Sequence, residues 1–262
     1  MLKALFHGQL QLGLAQAAVA AMAALLVVLA GRGRGIHLEQ ELAIAMVRGL
    51  VQIVAVGSIL LLLLRGPNWT SVFLLVAMIV AAGATSARRA KGMPRAFQVS
   101  TWAIACGAGS VIAVMTLLGV IDTPITTLVP VGSMLIANTM NTNGLVLNRF
   151  RAEVLAHVGE IETALALGAD GKSSVAPYVQ VSFEASLIPA IDSLRSLGIV
   201  WIPGLMAGML LSGARPVYAA IYQFVVLAMI FAGSGLTSLV STVLMRARVM
   251  SPAEQLILRP GT

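Results

Sequence analysis

The chain is dominated by long apolar runs that short polar or basic stretches separate. A helix that crosses the ~30 Å hydrocarbon core of a bilayer needs roughly 17–25 mostly apolar residues. Runs of this kind predict membrane spans at about 10–30, 43–64, 70–86, 98–120, 124–147 and 217–245, with a less regular one within 188–214. The pattern therefore predicts an all-α integral membrane protein of about seven transmembrane helices, in one domain that covers residues 1–262.

The composition supports a membrane protein and argues against a nucleic-acid-binding one. Of the 262 residues, 58% are hydrophobic and only 10% are charged, and the mean hydropathy is +0.94. A soluble domain is about a quarter charged, so this chain lacks the polar side chains to cover a water-exposed surface. We expect a multi-pass protein of the cell inner membrane. The net charge of +7 does not indicate nucleic-acid binding, because no basic patch alternates with aromatic residues.

The positions of lysine and arginine predict the orientation of the spans. With the N-terminus outside, 14 of the 17 cations fall on the inner side and 3 on the outer side. Cytoplasmic loops of membrane proteins carry such an excess of positive charge. The sequence therefore predicts an N-out, C-in topology.

The most polar segment, from about 148 to 187, is predicted to lie in the cytoplasm. Its apolar positions step by four, three and four, as on one face of an amphipathic helix: Val154, Val158, Ile161 and Leu165. The following residues, Ala166 to Ser173, resemble a relaxed phosphate loop. A working phosphate loop follows a buried strand, whereas a helix is predicted here and the first glycine is replaced by alanine. We therefore expect no nucleotide binding by this chain.

The fifth predicted span contains polar residues that lipid would penalise: Asn138, Asn141, Thr142 and Asn143. One helical stripe in this span is formed by Met134, Asn138, Asn141 and Leu145. Such a stripe is expected to face other helices or an aqueous path, so interhelical hydrogen bonding and a substrate path are both open. The candidate path residues are Met134, Asn138, Met140 and Asn141.

Two further polar pairs lie within or near predicted spans. Arg48 and Gln52 are four residues apart and therefore share one face of the second span, where Arg48 can also extend to the headgroups. Asp192 and Arg195 are three residues apart and are expected to pair within one helix.

Pro203 and Gly204 interrupt the apolar run near the C-terminal third of the chain. Residues 198–212 would extend only about 22 Å as a helix, which is too short to span a bilayer. Either the span begins near Ile188 and includes the charged pair, or the helix is broken or re-entrant, with its freed backbone groups satisfied by protein or water. The break is the favoured prediction.

Several of these segments resemble FetB-type permeases of ABC transporters. They are Arg48-x-x-x-Gln52, Met134-x-x-x-Asn138-x-Met140, Glu162 to Ala169, Ile188-Pro189-x-x-Asp192, Gly198-x-x-x-x-Pro203-Gly204-x-Met206-x-Gly208 and Tyr222-Gln223. The resemblance implies a homodimeric permease that works with a separate ATPase, in a family associated with iron export and metal tolerance, including aluminium tolerance in plants. It implies ATP binding in the partner chain, with no cofactor in this one. The segment resembling the ATPase-coupling helix is Glu162, Ala164, Leu167, Gly168 and Ala169.

Other functions remain open at this point. A permease for a non-metal substrate, such as a UDP-sugar or a lipid-like molecule, and a stand-alone secondary transporter or channel are the alternatives. An enzyme is not expected, because no catalytic cluster is suggested. Asparagine carbonyls and methionine thioethers can guide a cation, but the fifth span has no carboxylate, so a chelated or transiently held metal fits better than a tight site.

The topology can be tested with reporters at the two termini. Because the cations divide 14 to 3, a C-terminal reporter is expected in the cytoplasm and an N-terminal one in the periplasm. Activity of both reporters on the same side would mean an even number of spans and would contradict this topology.

Overall fold

A computed structural model of the chain describes residues 9–32, 39–63, 67, 69–90, 93–251 and 255–258. These residues are almost entirely helical. The helices are α1 (Gln9–Arg32), α2 (Glu39–Leu63), α3 (Thr70–Arg89), α4 (Ala96–Leu117), α5 (Ile125–Ala156), α6 (Val158–Ala166), α7 (Gly171–Ser196), α8 (Gly204–Leu211) and α9 (Pro216–Val249). Within α4, residues Ala105–Gly109 form a π-helical turn.

Five of these helices are long and apolar enough to cross a membrane: Gln11–Leu29, Gln40–Ile59, Thr70–Arg89, Ala96–Leu117 and Pro216–Val249. They correspond to the first four predicted spans and the last. The predicted fifth span forms α5, which has 32 residues but contains the asparagine cluster and is not among the five. The total of seven spans and the orientation therefore stay predictions.

The described structure falls into two compact units, residues 1–66 and 67–262. The first unit consists of α1 and α2, which contact each other through small and aliphatic side chains. The second unit is a bundle in which α5 packs against α3, α7 and α9, and α4 packs against α3 and α9. The short helices α6 and α8 attach to α7 and α9 respectively.

The bundle has two apolar clusters along its length. On α5 the first cluster includes Leu128, Val131, Leu135 and Ile136, and the second includes Val146, Leu147, Phe150 and Val154. On α9 the same order appears, with residues 226–230 in the first cluster and residues 245 and 249 in the second. Between the clusters lie buried side chains with hydroxyl or amide groups: Ser86, Ser100, Thr139, Thr142, Asn143, Ser234, Thr237, Ser238 and Ser241. We call this set the polar layer.

One close helix contact brings the π-helical turn of α4 against α9. A Cβ atom at Gly107 would overlap the Thr237 side chain and lie 2.5 Å from the Gly233 carbonyl oxygen. Helices without bulky side chains at the crossing can approach closely, as is common for helix pairs in membranes. Gly107 is therefore required where α4 crosses α9.

The prediction of a broken helix near Pro203 is confirmed. Helix α7 ends at Ser196, Gly198 adopts a φ of +76°, and Pro203 precedes the eight-residue helix α8. Eight residues rise only about 12 Å, so α8 does not span a bilayer by itself. The apolar residues of the connecting turn, including Ile199 and Val200, are exposed.

Candidate functional site

The asparagine cluster of α5 divides between two opposite faces of the helix. Asn138 and Asn141 are exposed, whereas Thr142 and Asn143 are buried in the polar layer. Three and four residues bring a helix back to nearly the same face, so positions 138 and 141 share one side. The sequence prediction grouped the exposed stripe correctly but did not separate it from the buried one. We call the side of Asn138 and Asn141 the outer face of α5.

The exposed amides make few bonds to other helices. Asn138 Nδ2 donates to the Met134 carbonyl oxygen of its own helix at 2.8 Å. Asn141 Oδ1 accepts from Arg89 Nη1 at 3.3 Å, and the Arg89 side chain reaches it by passing over Gly144. Met134 and Met140 pack partly against the first apolar cluster, so their thioethers are only partly accessible. The outer face of α5 therefore presents two exposed amides, whereas the other side of the helix packs against α3, α7 and α9.

Asn143 has the opposite environment, because its amide is fully buried and joins four helices. Its Nδ2 donates to Ser86 Oγ of α3 at 2.7 Å and to Ser100 Oγ of α4 at 2.8 Å. Its Oδ1 accepts a hydrogen bond from Ser241 of α9. The sequence signal for this clamp was the presence of serines inside the apolar runs of three other spans. The sequence analysis left interhelical hydrogen bonding open but did not identify these partners.

The predicted amphipathic stripe packs against the second apolar cluster. Val154 and Ile161 are buried there, and Val158 and Leu165 are partly buried against the same cluster. The stripe is therefore the inner face of the end of α5 and of α6. Beside the stripe, Glu162 of α6 is exposed to solvent.

Helix α6 ends in a Schellman motif at Gly168. Gly168 adopts a φ of +91°, its N–H donates to the Leu165 carbonyl, and the Ala169 N–H donates to the Ala164 carbonyl, both at 3.0 Å. These two bonds satisfy carbonyl groups that the helix end leaves free. The sharp end leaves the Leu167 side chain 84% exposed. We call residues Glu162–Ala169 the coupling segment.

Tyr178 of α7 fixes the position of α6. Its hydroxyl donates to Glu160 Oε2 at 3.0 Å, and its ring stacks on His157 with 4.9 Å between centroids. Burial and the bond to Glu160 raise the pKa of the Tyr178 phenol above its ordinary value. The phenol therefore remains protonated, and a donor, across the physiological pH range.

Several backbone N–H groups of the segment that resembles a phosphate loop are already hydrogen-bonded within the protein. The amides of Gly168 and Ala169 end α6, and the Ser173 N–H donates to Asp170 Oδ1 at 3.2 Å. Hydrogen bonds from Ser173 and the nearby Lys172 hold the pKa of the Asp170 carboxyl below its ordinary value, so this cap is negatively charged at neutral pH. The geometry favours a helix cap over a nucleotide site.

Two further predicted pairs are exposed. Arg48 and Gln52 are exposed and line one groove on α2, in the first unit. Asp192 and Arg195 form the predicted pair at 3.8 Å, but both are exposed, so the pair contributes little to stability.

The broken segment is anchored through a backbone contact. The Met206 N–H, near the start of α8, donates to Oε1 of the buried Gln223 at 3.3 Å. Pro203 provides the N-cap position of α8, and Gly204 is its first residue. The first turn of α8 thus has one of its free N–H groups satisfied by α9.

The donors available to a metal on the outer face are amide oxygens and thioethers. Within the described residues, no group of three or more His, Cys, Asp or Glu side chains converges on a point where an ion could sit. Amide and thioether donors suit a metal that is held briefly.

The family model of UPF0014, described as an uncharacterised protein family, matches residues 14–250 of the chain. The chain is 30% identical over 241 residues to the "Probable iron export permease protein FetB" of Escherichia coli (strain K12). This match covers 92% of this chain and 93% of the relative. It is also 29% identical over 246 residues to "Protein ALUMINUM SENSITIVE 3" of Arabidopsis thaliana. This match covers 93% of this chain and 90% of the relative.

The rice protein "UPF0014 membrane protein STAR2" (Oryza sativa subsp. japonica) is 31% identical over 229 residues, covering 87% of this chain and 80% of the relative. No solved structure matches the chain significantly. The apolar helices and these relatives together identify a multi-pass protein of the inner membrane.

The two faces of α5 predict different effects of an asparagine-to-leucine substitution on stability. Asn143→Leu leaves hydroxyl groups on three helices without their partner and is expected to lower the free energy of unfolding by about 1–3 kcal/mol. Asn138→Leu removes only a bond within one helix and is expected to leave stability unchanged. Thermal unfolding of the purified variants measures both, and equal destabilisation would contradict the assignment of the two faces.

Proposed function

Because the chain belongs to the UPF0014 family, we propose that it is the permease subunit of an ABC transporter that exports iron or a related metal. It acts as a homodimer, and a separate ATPase subunit binds and hydrolyses the ATP. This chain then supplies the membrane path and the surface that receives the ATPase, without an enzymatic step of its own.

The observation that supports an ATPase partner best is the exposed Leu167 at the end of a firmly held helix. Leu167 is 84% exposed, although α6 is fixed on its other side by the second apolar cluster and by Tyr178. A large apolar side chain on a rigid, sharply ended helix fits a hydrophobic groove on another protein. A helix held in this way transmits a displacement of the groove to α5 and α7, against which it packs.

The outer face of α5 supports a path for a polar substrate. Amides are costly in contact with lipid, so Asn138 and Asn141 are expected to face either water or a second copy of the chain. A homodimer that places the two α5 helices opposite each other would line the space between them with amide oxygens from both subunits. Such oxygens can replace part of the water around a cation or a chelated metal as it passes.

The choice of metal rests on the relatives and on donor chemistry. The Escherichia coli relative has iron export in its name, and the Arabidopsis relative is named for aluminium sensitivity. Both metals form cations that oxygen ligands bind. Transport by an energised permease requires that the path bind the ion weakly enough to release it, which amide oxygens without a carboxylate allow.

The coupling segment can be tested through Gly168. A valine at this position cannot adopt the φ of +91° without strain and is expected to displace Leu167. The Gly168→Val variant should then retain less ATPase on co-purification and show lower permease-stimulated ATP hydrolysis.

The matched control is Gly159→Val in the same helix, where the backbone is ordinary and a Cβ meets nothing within 4 Å. This control should behave like the unaltered chain in both assays. If Gly168→Val also left both measurements unchanged, the segment would be an ordinary loop. Absence of any co-purifying ATPase would instead favour a stand-alone transporter.

The path can be tested through Asn138. In inside-out vesicles that contain the permease and its ATPase, Asn138→Leu is expected to lower ATP-dependent iron uptake about tenfold, as removal of one hydrogen-bonding group from a binding path does. The neighbouring exposed position provides the control, because Ala137→Leu adds similar bulk without removing an amide. Unchanged uptake in Asn138→Leu, or an equal loss in both variants, would contradict a role for the amide.

A further inference from the structure

A cleft of about 610 Å³ lies where three helices of the second unit have their ends. Its walls are the residues before α4, the start of α7, the end of α9 and the short C-terminal stretch that folds back along α9. This stretch is held by a hydrogen bond from the Ile257 N–H to the Val249 carbonyl at 2.9 Å, and Leu256 and Leu258 are buried in the second apolar cluster. The cleft is therefore enclosed by four segments, and the C-terminal one is held in place by a hydrogen bond and by apolar packing.

The cleft is strongly cationic. Four basic side chains line it, Arg95, Lys172, Arg246 and Arg248, and its lining includes no carboxylate. Among the residues that the structure describes, none of these four cations lies in an ion pair, whereas Arg149 and Arg195 elsewhere do. The carboxylate of Asp170 lies near Lys172 but outside the lining, and it caps α7. Within the described residues, the lining of the cleft therefore concentrates positive charge without a counter-charge.

Two details of the arginines indicate a site for a ligand. Nη1 of Arg248 is buried and, in the described part of the chain, has no hydrogen-bond partner. A buried guanidinium N–H without a partner costs free energy, so the Arg248 side chain gains a hydrogen bond by turning toward an anion in the cleft that it lines. Arg95 has a φ of +54°, the one left-handed conformation of a residue other than glycine in the described ranges. Backbone strain of this kind is concentrated at ligand sites.

The cleft is formed at the ends of two helices that are candidate membrane spans. Arg95 directly precedes α4, and Arg246 and Arg248 are in the last turn of α9; both helices are candidate spans. Apolar side chains accompany the cations in the lining, among them Met250 and the half-exposed Ile257. Cations beside apolar groups at a span end match the chemistry of a lipid headgroup, in which a phosphate diester is attached to acyl chains.

We propose that this cleft binds the phosphate of an anionic membrane phospholipid, with Arg246 and Arg248 as its main ligands and Arg95 and Lys172 around it. The bound headgroup links the ends of α4, α7 and α9, and therefore stabilises the bundle next to the coupling segment. The site is independent of the transported substrate and of the proposed function. A nucleotide phosphate is disfavoured, because the backbone N–H groups of Gly168, Ala169 and Ser173 are already paired.

The proposal is tested with the full-length chain in detergent, titrated with phosphatidylglycerol or phosphatidylcholine. Bound lipid is counted by native mass spectrometry, and the melting temperature is measured in parallel. Phosphatidylglycerol is expected to bind and to raise the melting temperature, and phosphatidylcholine is not. In Arg246→Gln/Arg248→Gln the affinity for phosphatidylglycerol should fall about fivefold for each cation removed.

Two further variants keep the test decisive. Lys172→Gln changes an exposed residue, so the fold is expected to persist, and the affinity for phosphatidylglycerol should fall by the amount expected for one cation. Arg149→Gln/Arg195→Gln removes the same charge from positions outside the cleft and should bind phosphatidylglycerol like the unaltered chain.

Four outcomes would overturn the assignment. Equal loss of binding in the control pair would indicate a general effect of charge, and unchanged binding in the cleft variants would place the lipid elsewhere. Stabilisation by inorganic phosphate through the same residues, without an effect of phosphatidylglycerol, would make the cleft a site for free phosphate. Loss of ATPase association in the cleft variants with lipid binding retained would assign the cleft to the protein partner.

Discussion

A side-chain amide that is removed from water must find hydrogen-bond partners within the protein, and Asn143 finds them on α3, α4 and α9. Apolar packing alone allows helices to slide or rotate with small changes in contact, whereas these bonds require one register of four helices. The two apolar clusters lie on either side of this layer. The amide therefore determines which residues of α5 remain for the outer face.

The outer face and the coupling segment depend on the same helix. Helix α5 begins at Ile125 beside the first apolar cluster, passes the polar layer and ends at Ala156, where His157 leads directly into α6. Its buried side is fixed by Asn143, so Asn138 and Asn141 have one possible direction. The rigid connection means that a displacement at Leu167 acts on the helix that presents the amides.

Periodicity predicted the helices and grouped the residues of one face of α5. It could not show which face of α5 is exposed and which is buried. Positions 138, 141, 142 and 143 surround much of a helix turn, so spacing alone leaves open which amides are buried. Serines on three other helices determine which amide is buried. These serines are far from Asn143 in the sequence, so a local pattern does not show that they are its partners. Gly168 was predictable because its effect is local: glycine needs no partner to adopt a left-handed conformation. Pro203 lies at the predicted break, but Pro130, Pro177 and Pro189 lie inside helices, so a proline by itself does not predict an interruption.

The polar layer also has a consequence for how the protein enters the membrane. In the predicted topology, α5 is inserted after α3 and α4 and before α9, and it is not among the five helices that are apolar enough by themselves. Ser86 and Ser100 can receive the Asn143 amide at that stage, but Ser241 belongs to a segment that the ribosome has yet to deliver. Biogenesis of this bundle therefore requires α5 to remain beside the α3–α4 hairpin, with one acceptor unfilled, until the last helix is synthesised.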